Sequence, residues 1–378
     1  MKRSTIKILS LLIALTMLIS LTACVKSDVG EDGGNDTSGE ENSNIPLESV
    51  DLPLPDNINP LTGLEAAYDV SGSRPIAVML NNIHEALPQI GIGKADILFE
   101  CLAEGGITRL MGVYSEYEKL GIIGSVRSSR PYYIDFAQMF DAVYCHAGGS
   151  EDAYSQLSSR GINNIDGVRG DPLGVYYRDQ DRLNRGYSYE HTLMTTGEGI
   201  VSTIDHYGYR TDLRNGFEYP FEFAEWGKEV EVGNEKALHV YLPISYYQNV
   251  DYIYDEENSV YLRYQYDGES HIDGETGDQL TFKNIIILFC NTAAYDDYGR
   301  LAVTTTGSGN GYLVSEGKYT KITWSRDSID GNLTLTDSSS GGTIVINRGK
   351  TAINICSASI EQSVEMNATT RVMNDNNS

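Results

Sequence analysis

The feature that most constrains the fold is a change in the type of secondary structure that the chain predicts along its length. Residues 57–215 combine short apolar, β-rich runs with helical patterns. The β-rich runs lie at 74–82, 95–104, 107–116 and 141–149, and the helical patterns at 131–140, 151–159 and 198–207. Residues 236–358 contain eight further strand-like runs, separated by turn signals such as Asp-Gly and Gly-Gly. The sequence therefore predicts an α+β fold, with a mixed α/β N-terminal domain over 57–215 and a mostly β C-terminal domain over 236–358.

The N-terminus has the pattern of a bacterial lipoprotein signal. Three basic residues precede an apolar run at 8–21, which ends in small residues directly before Cys24. A short membrane-spanning helix is the alternative, but the 16 residues between the basic segment and the cysteine are few for a hydrocarbon core of roughly 30 Å. We expect residues 1–23 to be removed, Cys24 to be lipidated, and the chain to be anchored on the extracytoplasmic face of the cell membrane.

Charge and composition limit the partners of the chain. Its formal charge of −25 would become −28 once the three basic residues of the leader are removed. A strongly acidic chain repels nucleic-acid phosphates and anionic lipid surfaces, so we expect no nucleic-acid partner and membrane attachment through the lipid alone. Residues 24–56 are polar and acidic with almost nothing to bury, which predicts a disordered tether. Residues 359–378 are expected to form a polar tail.

Four cysteines follow Cys24, and the sequence leaves their pairing open. Each lies in an apolar, strand-like run: Cys101, Cys145, Cys290 and Cys356. An even number outside the cytoplasm permits two disulfides, whereas burial within strands favours free thiols. The chain has no C-x-x-C pair, which argues against a thiol redox motif or a zinc ribbon.

A group of arginines and serines in the N-terminal domain is the best candidate for ligand binding. Eight of the 17 arginines lie in 109–185, together with a single lysine. Guanidinium groups bind carboxylate or phosphate through two parallel hydrogen bonds. A helix beginning at Pro131, with Ser129 as a possible cap, would direct free N–H groups to the same place. The candidate ligand-binding residues are Asn81, Arg109, Ser125, Arg127, Ser128 and Arg130.

The same residues allow a purely structural interpretation. Arg109, Arg127 and Arg130 can instead pair with Glu100, Glu104 and Asp135 and hold the domain together. One arrangement can also serve both purposes, so the two interpretations stay open at this point.

Catalysis would require a proton-transfer pair within hydrogen-bond reach. Glu104 and His146 are the best candidates because both adjoin Gly-Gly turns that let a ligand approach the backbone. Glu100 and His191 are further candidates, although a single histidine beside a strand more often has a structural role. The sequence contains no G-x-S-x-G elbow, no phosphate-binding G-x-x-x-x-G-K-[ST] loop and no H-E-x-x-H helix.

An oxygen-rich stretch at 267–278, which includes Asp273, is the one place where calcium could bind. Its spacing does not match the D-x-[DN]-x-[DN]-G calcium loop, so a solvated β-turn connection is the preferred interpretation. No cofactor is predicted.

The chain resembles the YerB family of gram-positive lipoproteins from about residue 59 to residue 357. The N-terminal motifs that carry the resemblance are RPIAVMLNN, ADILFECLAEGGITRLMGVYS, IGSVRSSRPYYIDFAQMFDAVYCHAGGS and YSYEHTLMTT. The C-terminal motifs are HIDGETGDQLTFKNIIIL and GSGNGYLVSEGKYTKITWSRDS. The resemblance implies a lipid-anchored, extracytoplasmic protein of two domains, and it transfers no catalytic residues. Ala352 stands where the family pattern has an aromatic residue, so only a packing role is expected for the last strand.

Three functions are compatible with this sequence. The preferred hypothesis is a module that binds an anionic ligand of the cell envelope through the arginines and serines. The second is an envelope hydrolase that uses Glu104 and His146 as acid and base. The third is an interaction scaffold for a protein partner of the envelope.

Overall fold

The computed structural model describes residues 53–368, in which the chain forms 23 strands and four α-helices. The α-helices are α1 (Pro131–Gln138), α2 (Glu151–Ser159), α3 (Gln180–Asn184) and α4 (Gly197–Tyr207). Short 3₁₀ helices lie at His84–Ala86, Ile92–Lys94, Glu104–Gly106, Tyr117–Lys119, Tyr189–His191 and Ala358–Ser363. The predicted signal segment, the lipidation site Cys24 and nearly all of the tether lie outside the described residues.

The strands differ widely in length, from two to nine residues. Those that precede residue 215 are β1 (Ile76–Asn81), β2 (Ile97–Leu102), β3 (Thr108–Tyr114), β4 (Ile122–Gly124), β5 (Val143–His146), β6 (Asn164–Asp166), β7 (Tyr177–Arg178) and β8 (Leu193–Thr196). Those that follow are β9 (Glu222–Phe223), β10 (Glu235–Lys236), β11 (His239–Leu242), β12 (Val250–Asp255), β13 (Val260–Gln265), β14 (Glu269–Ser270), β15 (Thr281–Phe282), β16 (Asn284–Cys290), β17 (Thr292–Ala294), β18 (Leu301–Val303), β19 (Gly307–Ser315), β20 (Lys318–Arg326), β21 (Thr334–Asp337), β22 (Val345–Ile346) and β23 (Thr351–Ser357). Helices and strands alternate before residue 215 and strands dominate after it, so the predicted α+β class is confirmed.

An 11-stranded central sheet contains strands from both parts of the chain. Its order is β10-β20-β19-β16-β23-β2-β3-β1-β5-β6, with β21 paired to β20. The last strand, β23, lies between β16 and β2 and is parallel to both, so that Ile353 is the register partner of Ile286 on one side and of Phe99 on the other. The strands of the N-terminal and C-terminal segments therefore form one continuous hydrogen-bonded sheet.

The two faces of the central sheet carry separate apolar cores. Side chains alternate between faces along a strand, so Phe99 packs with α1 on one face while its neighbour Leu98 packs on the other. The second face is covered in part by a five-stranded sheet of β11 to β15, which contributes Val240 and Tyr252. The near-continuous apolar sequence of the central strands follows from this burial on both faces.

Helix α1 begins at Pro131, as the sequence predicts, but the predicted Ser129 cap is wrong. Arg130 occupies the N-cap position and no side chain caps the helix. The Ser129 hydroxyl instead accepts a hydrogen bond from the Tyr144 hydroxyl at 3.1 Å. Ser129 is thus engaged with the sheet, and the first turn of α1 is left without a side-chain acceptor.

The four described cysteines are all buried and all free. The free-thiol interpretation is therefore confirmed over the two-disulfide alternative. Burial raises the pKa of each thiol, to about 12 for Cys290, so these side chains act as small apolar core residues. Separately, no helix within residues 53–368 combines the length and the apolar character needed to cross a bilayer.

Candidate functional site

A polar groove opens where β2 ends and β3 begins. It has a volume of about 570 Å³. The lining residues, which define the arginine groove, are Glu104, Gly105, Ser128, Arg130, Gly149, Ser150, Tyr298 and Arg300. None of these residues has an aliphatic side chain, so the groove suits a ligand that is recognised through polar groups and ring faces.

Two helices begin at the arginine groove. Arg130 is the N-cap residue of α1, and Ser150 caps α2, its Oγ accepting a hydrogen bond from the Ala153 N–H at 3.2 Å. The loop at 147–150 connects β5 to α2, and β5 is parallel to both β1 and β6. The groove therefore lies outside the carboxyl end of a parallel strand, where α/β sheets commonly bind ligands, and the positive ends of two helix dipoles favour an anion there.

Two hydrogen-bond donors at the groove are free. Within residues 53–368, neither the Ser128 hydroxyl nor the Gly149 backbone N–H has a hydrogen-bond partner. The Ser128 carbonyl, by contrast, accepts a hydrogen bond from Arg109 Nη1 at 2.8 Å. A ligand oxygen can therefore bind at the groove without displacing a contact within the protein.

Glu104 holds two of the predicted arginines beside the groove. Its carboxylate accepts hydrogen bonds from Arg130 Nε and Nη2, the latter at 2.9 Å, and lies 3.8 Å from Arg109 Nη2. Arg130 Nη1 also donates to the Ser129 carbonyl at 2.7 Å. The bidentate pair fixes the plane of the Arg130 guanidinium, so this cation is presented to the groove in one orientation.

The ion pairs of this cluster oppose the effect of burial on the pKa values of its members. Burial alone would raise the pKa of Glu104, but the hydrogen bonds and charge of Arg130, with the charge of Arg109, outweigh it and lower that pKa. Burial lowers the pKa of Arg109 to about 10, and the Glu104 carboxylate opposes that effect. Glu104 is therefore an ionised carboxylate at neutral pH, which suits it to positioning arginines and not to donating a proton.

Arg127 lies beside this cluster and does not line the groove. Its Nη1 is 3.6 Å from the exposed Glu190 carboxylate. Next to it, buried His191 Nδ1 accepts a hydrogen bond from Asn81 Nδ2 at 2.9 Å, and burial lowers the pKa of His191. Ser125 is fully buried, its carbonyl accepts the Asn81 N–H at 2.9 Å, and its Oγ has no partner within residues 53–368. Asn81 and Ser125 thus lie behind the surface, below Arg127.

His146 is buried at the end of β5 and does not reach the groove. Its Nδ1 lies 2.8 Å from the Gly148 carbonyl, and its Nε2 lies 3.2 Å from Asn164 Oδ1. Asp166 Oδ1 is 3.8 Å from Nδ1 and accepts the Gly148 N–H at 2.7 Å. Both ring nitrogens therefore contact protein atoms, and the ring orders the loop that leads into α2.

Glu100 belongs to a buried polar network that connects the two segments. Its Oε2 accepts a hydrogen bond from Arg263 Nη2 at 2.7 Å, and its Oε1 accepts one from Thr108 Oγ1 at 2.6 Å. Arg263 Nε in turn donates to His271 Nδ1 at 2.8 Å, and His271 Nε2 contacts Gln89 Oε1 at 2.8 Å. We name this set the Glu100–Arg263 network; its members lie out of reach of solvent and of the groove.

The structural pairing predicted for the arginines is realised in part. Arg109 and Arg130 do contact Glu104, but Glu100 pairs with Arg263 and Asp135 pairs with Arg160 at 2.7 Å. Some of these ion-pair partners are close in sequence and others are far apart, because strand pairing brings the C-terminal segment against the N-terminal one.

The oxygen-rich stretch is used for backbone hydrogen bonds. The buried Asp273 carboxylate accepts the N–H groups of Gly91, Gly93 and Glu275, at 3.3, 2.6 and 2.7 Å. In the part of the chain that the structure describes, no group of three His, Cys, Asp or Glu side chains is arranged to hold a metal ion.

Sequence reasoning missed the two groove residues that come from the C-terminal segment, Tyr298 and Arg300. Both lie in the turn of the β17–β18 hairpin, in which Asp296 contacts Arg300 Nη1 at 3.2 Å and accepts the N–H groups of residues 298 and 300. The hairpin is positioned by the Tyr295 hydroxyl, which donates to Asp152 near the start of α2. The sequence gives a weak signal, a tyrosine and an arginine in an otherwise acidic turn, and nothing in it places this turn beside Arg130.

Family models match both segments of the chain. Residues 61–210 match the N-terminal domain of DUF3048, described as a protein of unknown function, and residues 240–353 match its C-terminal domain. YerB of Bacillus subtilis, a candidate lipoprotein by its name, is 29% identical over 271 residues, which cover 70% of this chain and 77% of that protein.

The fold is also similar to a solved structure. The crystal structure of the YerB protein from Bacillus subtilis superposes with a TM-score of 0.70 at 26% sequence identity, covering 82% of this chain and 99% of that one. Sequence motifs, both domain models and the fold agree, and the chain belongs to the YerB-like family of two-domain DUF3048 proteins.

Proposed function

We propose that this protein is a lipid-anchored binding protein of the extracytoplasmic face of the cell membrane, and that its arginine groove retains an anionic ligand of the cell envelope. The lipoprotein signal pattern before Cys24 and the similarity to YerB support the location. The observation that carries the binding function is the fixed Arg130 guanidinium beside two helix starts, with a second arginine, Arg300, in the lining of the same groove.

Positive side chains cluster near the groove although the chain as a whole is strongly acidic, and this local charge supports the proposal. Arg109, Arg127 and Arg130 lie close together, because the charge of Arg130 contributes to lowering the pKa of both Arg109 and Arg127, and the charge of Arg127 to lowering that of Arg109. Among the residues that line the groove, Glu104 is the one acid. Arg109, Arg130 and Arg300 outnumber their carboxylate partners Glu104 and Asp296, so this part of a chain of formal charge −25 has a local excess of positive charge that attracts anions.

The contacts of the candidate catalytic residues favour binding over hydrolysis. Glu104 is held as a carboxylate by Arg130, His146 is buried with both nitrogens in contact, and Glu100 is enclosed by Arg263 and Thr108. A hydrolase needs an acid and a base within reach of the same substrate atom.

Retention of the purified protein on isolated gram-positive cell walls tests the proposal. We expect the wild type to sediment with the walls, and Arg300→Ala to weaken retention about tenfold, the value of one charge-assisted hydrogen bond. Arg300 is chosen because it forms an ion pair with Asp296 in its own turn, so its loss leaves the core intact. Arg185→Ala, which removes an exposed arginine outside the groove, is the matched control.

Three outcomes are informative. Equal retention of the wild type, Arg300→Ala and Arg185→Ala, with all three folded, would remove the binding proposal. Release of new soluble wall fragments that stops in Glu104→Gln would replace it with the hydrolase. Retention on walls only in the presence of other envelope proteins would replace it with the scaffold.

A further inference from the structure

Several exposed tyrosine rings lie at or beside the arginine groove. Within residues 53–368, seven tyrosines are exposed: Tyr177, Tyr189, Tyr207, Tyr246, Tyr247, Tyr295 and Tyr298. Tyr298 lines the groove, and the Tyr246 hydroxyl donates to the carbonyl of Gly105, which also lines it, at 3.1 Å. Tyr247 packs edge-on against Tyr246 with ring centroids 6.3 Å apart.

Tyr298 and Tyr246 have almost no packing role in the fold. Tyr298 is 81% exposed and Tyr246 is 90% exposed. The Arg300 guanidinium lies 5.5 Å from the Tyr298 ring centroid, so one ring pairs with a groove arginine while most of its surface faces solvent. Rings held in water next to a polar groove contribute little to stability, and they offer flat faces to a ligand.

The position of Tyr246 is built into the backbone. Gly105 and Gly106 have φ of 69° and 78°, in the left-handed region that favours glycine. A Cβ on Gly106 would lie 2.9 Å from the Tyr246 ring, and the Gly106 carbonyl accepts a hydrogen bond from Ser245 Oγ at 2.5 Å. The Gly-Gly turn thus lets a ring from the C-terminal segment rest against the groove.

A second depression borders the same helix starts, but its lining differs from that of the groove. It has a volume of about 470 Å³, and its lining includes the acids Asp135 and Asp152, Tyr295 and the aliphatic Leu301, Ala302 and Val303. Pro131 directly follows Arg130, and Asp152 lies two residues after Ser150, so the two depressions border the same helix starts. An acidic ligand is therefore expected in the arginine groove and not in this depression, and the groove alone, at about 570 Å³, exceeds what a single small anion fills.

We infer that the anionic ligand is an acidic glycan, whose sugar rings stack on Tyr298 and Tyr246 while its acidic groups pair with Arg130 and Arg300. This inference rests on the proposed binding function. The apolar C–H face of a sugar matches an exposed tyrosine ring. A free phosphate would make no use of the rings, and a peptide anchored by apolar side chains would find no aliphatic pocket in the arginine groove.

Calorimetric titration of the purified protein with three defined probes tests this inference. Tetragalacturonic acid supplies sugar rings and carboxylates, tetraglutamate supplies carboxylates without rings, and the tetramer of N-acetylglucosamine supplies rings without charge. We expect tetragalacturonic acid to bind at least tenfold more tightly than either of the other two probes.

Substitutions separate the ring contribution from the charge contribution. Tyr298→Ala is expected to weaken binding of tetragalacturonic acid about fivefold to tenfold and to leave that of tetraglutamate unchanged. Arg300→Ala is expected to weaken both. Tyr207→Ala, an exposed tyrosine that lines a different depression, is the matched control and should change neither affinity.

The outcomes distinguish the two proposals. If tetraglutamate binds as tightly as tetragalacturonic acid, or if Tyr298→Ala has no more effect than Tyr207→Ala, the glycan inference fails while the anionic groove stands. If neither acidic probe binds, or if Arg300→Ala leaves both affinities unchanged, the proposed function fails and the inference with it.

Discussion

Two glutamates four residues apart both form ion pairs with arginine, but in different environments. Glu100, in β2, is 1% exposed and pairs with Arg263 of the C-terminal segment at 2.7 Å. Glu104, just beyond β2, is 18% exposed and pairs with Arg130 of its own segment through two hydrogen bonds. One pair lies inside the molecule, and the other lies at an open groove.

The difference between the pairs lies in how many partners surround each carboxylate. Besides Arg263, Glu100 accepts hydrogen bonds from Thr108, Asn82 and Gln248, so the protein satisfies it completely. Glu104 is bound by arginines alone, next to donors that have no protein partner. A glutamate–arginine pair therefore does not by itself show whether it stabilises the fold or belongs to a binding site. The number of protein hydrogen bonds that each carboxylate accepts distinguishes the two cases.

The largest expected effect in this comparison comes from breaking the buried pair. Glu100→Gln leaves the Arg263 guanidinium buried without a counter-charge, and we expect it to lower the free energy of unfolding by about 3–5 kcal/mol. Urea denaturation followed by circular dichroism measures this value. Glu104→Gln is the matched control, and an equal loss in the two variants would contradict the distinction drawn between the pairs.

The next effect is a dependence of stability on pH that originates in the same network. Burial lowers the pKa of His271 well below its usual range, and the charge of Arg263 adds to that effect. The unfolded chain therefore binds more protons than the folded chain below about pH 6.5, and stability falls as the pH falls, by up to about 1.4 kcal/mol per pH unit.

His271→Gln isolates this contribution. Glutamine can accept from Arg263 and donate to Gln89 without titrating, so we expect a flatter stability profile between pH 6.5 and pH 5 than in the wild type. Parallel profiles, measured by thermal unfolding at each pH, would contradict a role for His271.

The smallest expected effect on stability comes from the partly exposed pair between Glu104 and Arg130. Glu104→Gln should lower the free energy of unfolding by about 1 kcal/mol or less. Because the folded-state pKa of Glu104 is lowered, this difference is present above the unfolded pKa and disappears as the pH falls through the folded one. The same variant removes the bidentate pair that fixes the Arg130 guanidinium, so tetragalacturonic acid should bind several times more weakly, as measured by calorimetry. Unchanged or tighter binding would contradict the positioning role of Glu104.

Local features of the fold could be predicted from the sequence. The helix at Glu151–Ser159 has the predicted bounds, and α1 begins at Pro131, because capping and periodicity act over a few residues. The burial of the four cysteines follows equally from their apolar neighbours. These predictions depend on contacts that lie within one turn or one strand.

Contacts between distant parts of the chain could not be predicted. The partner of Glu100 is Arg263, 163 residues away, and Tyr298 and Arg300 reach the groove through a hairpin of the other segment. Such pairings depend on strand order, which local patterns do not encode. Arginines and serines of the site could be named from the sequence because they are close together in it, whereas the aromatic part of the site comes from residues that are not.

The central place of β23 has a consequence for how the protein reaches its native state. Because Thr351–Ser357 separates β2 from β16, both of those strands keep an unpaired edge until nearly all of the described chain is available. Sheets closed by such distant pairings form slowly, and open strand edges aggregate. We therefore expect that truncation before residue 351 prevents both halves of the protein from folding, and not the C-terminal half alone.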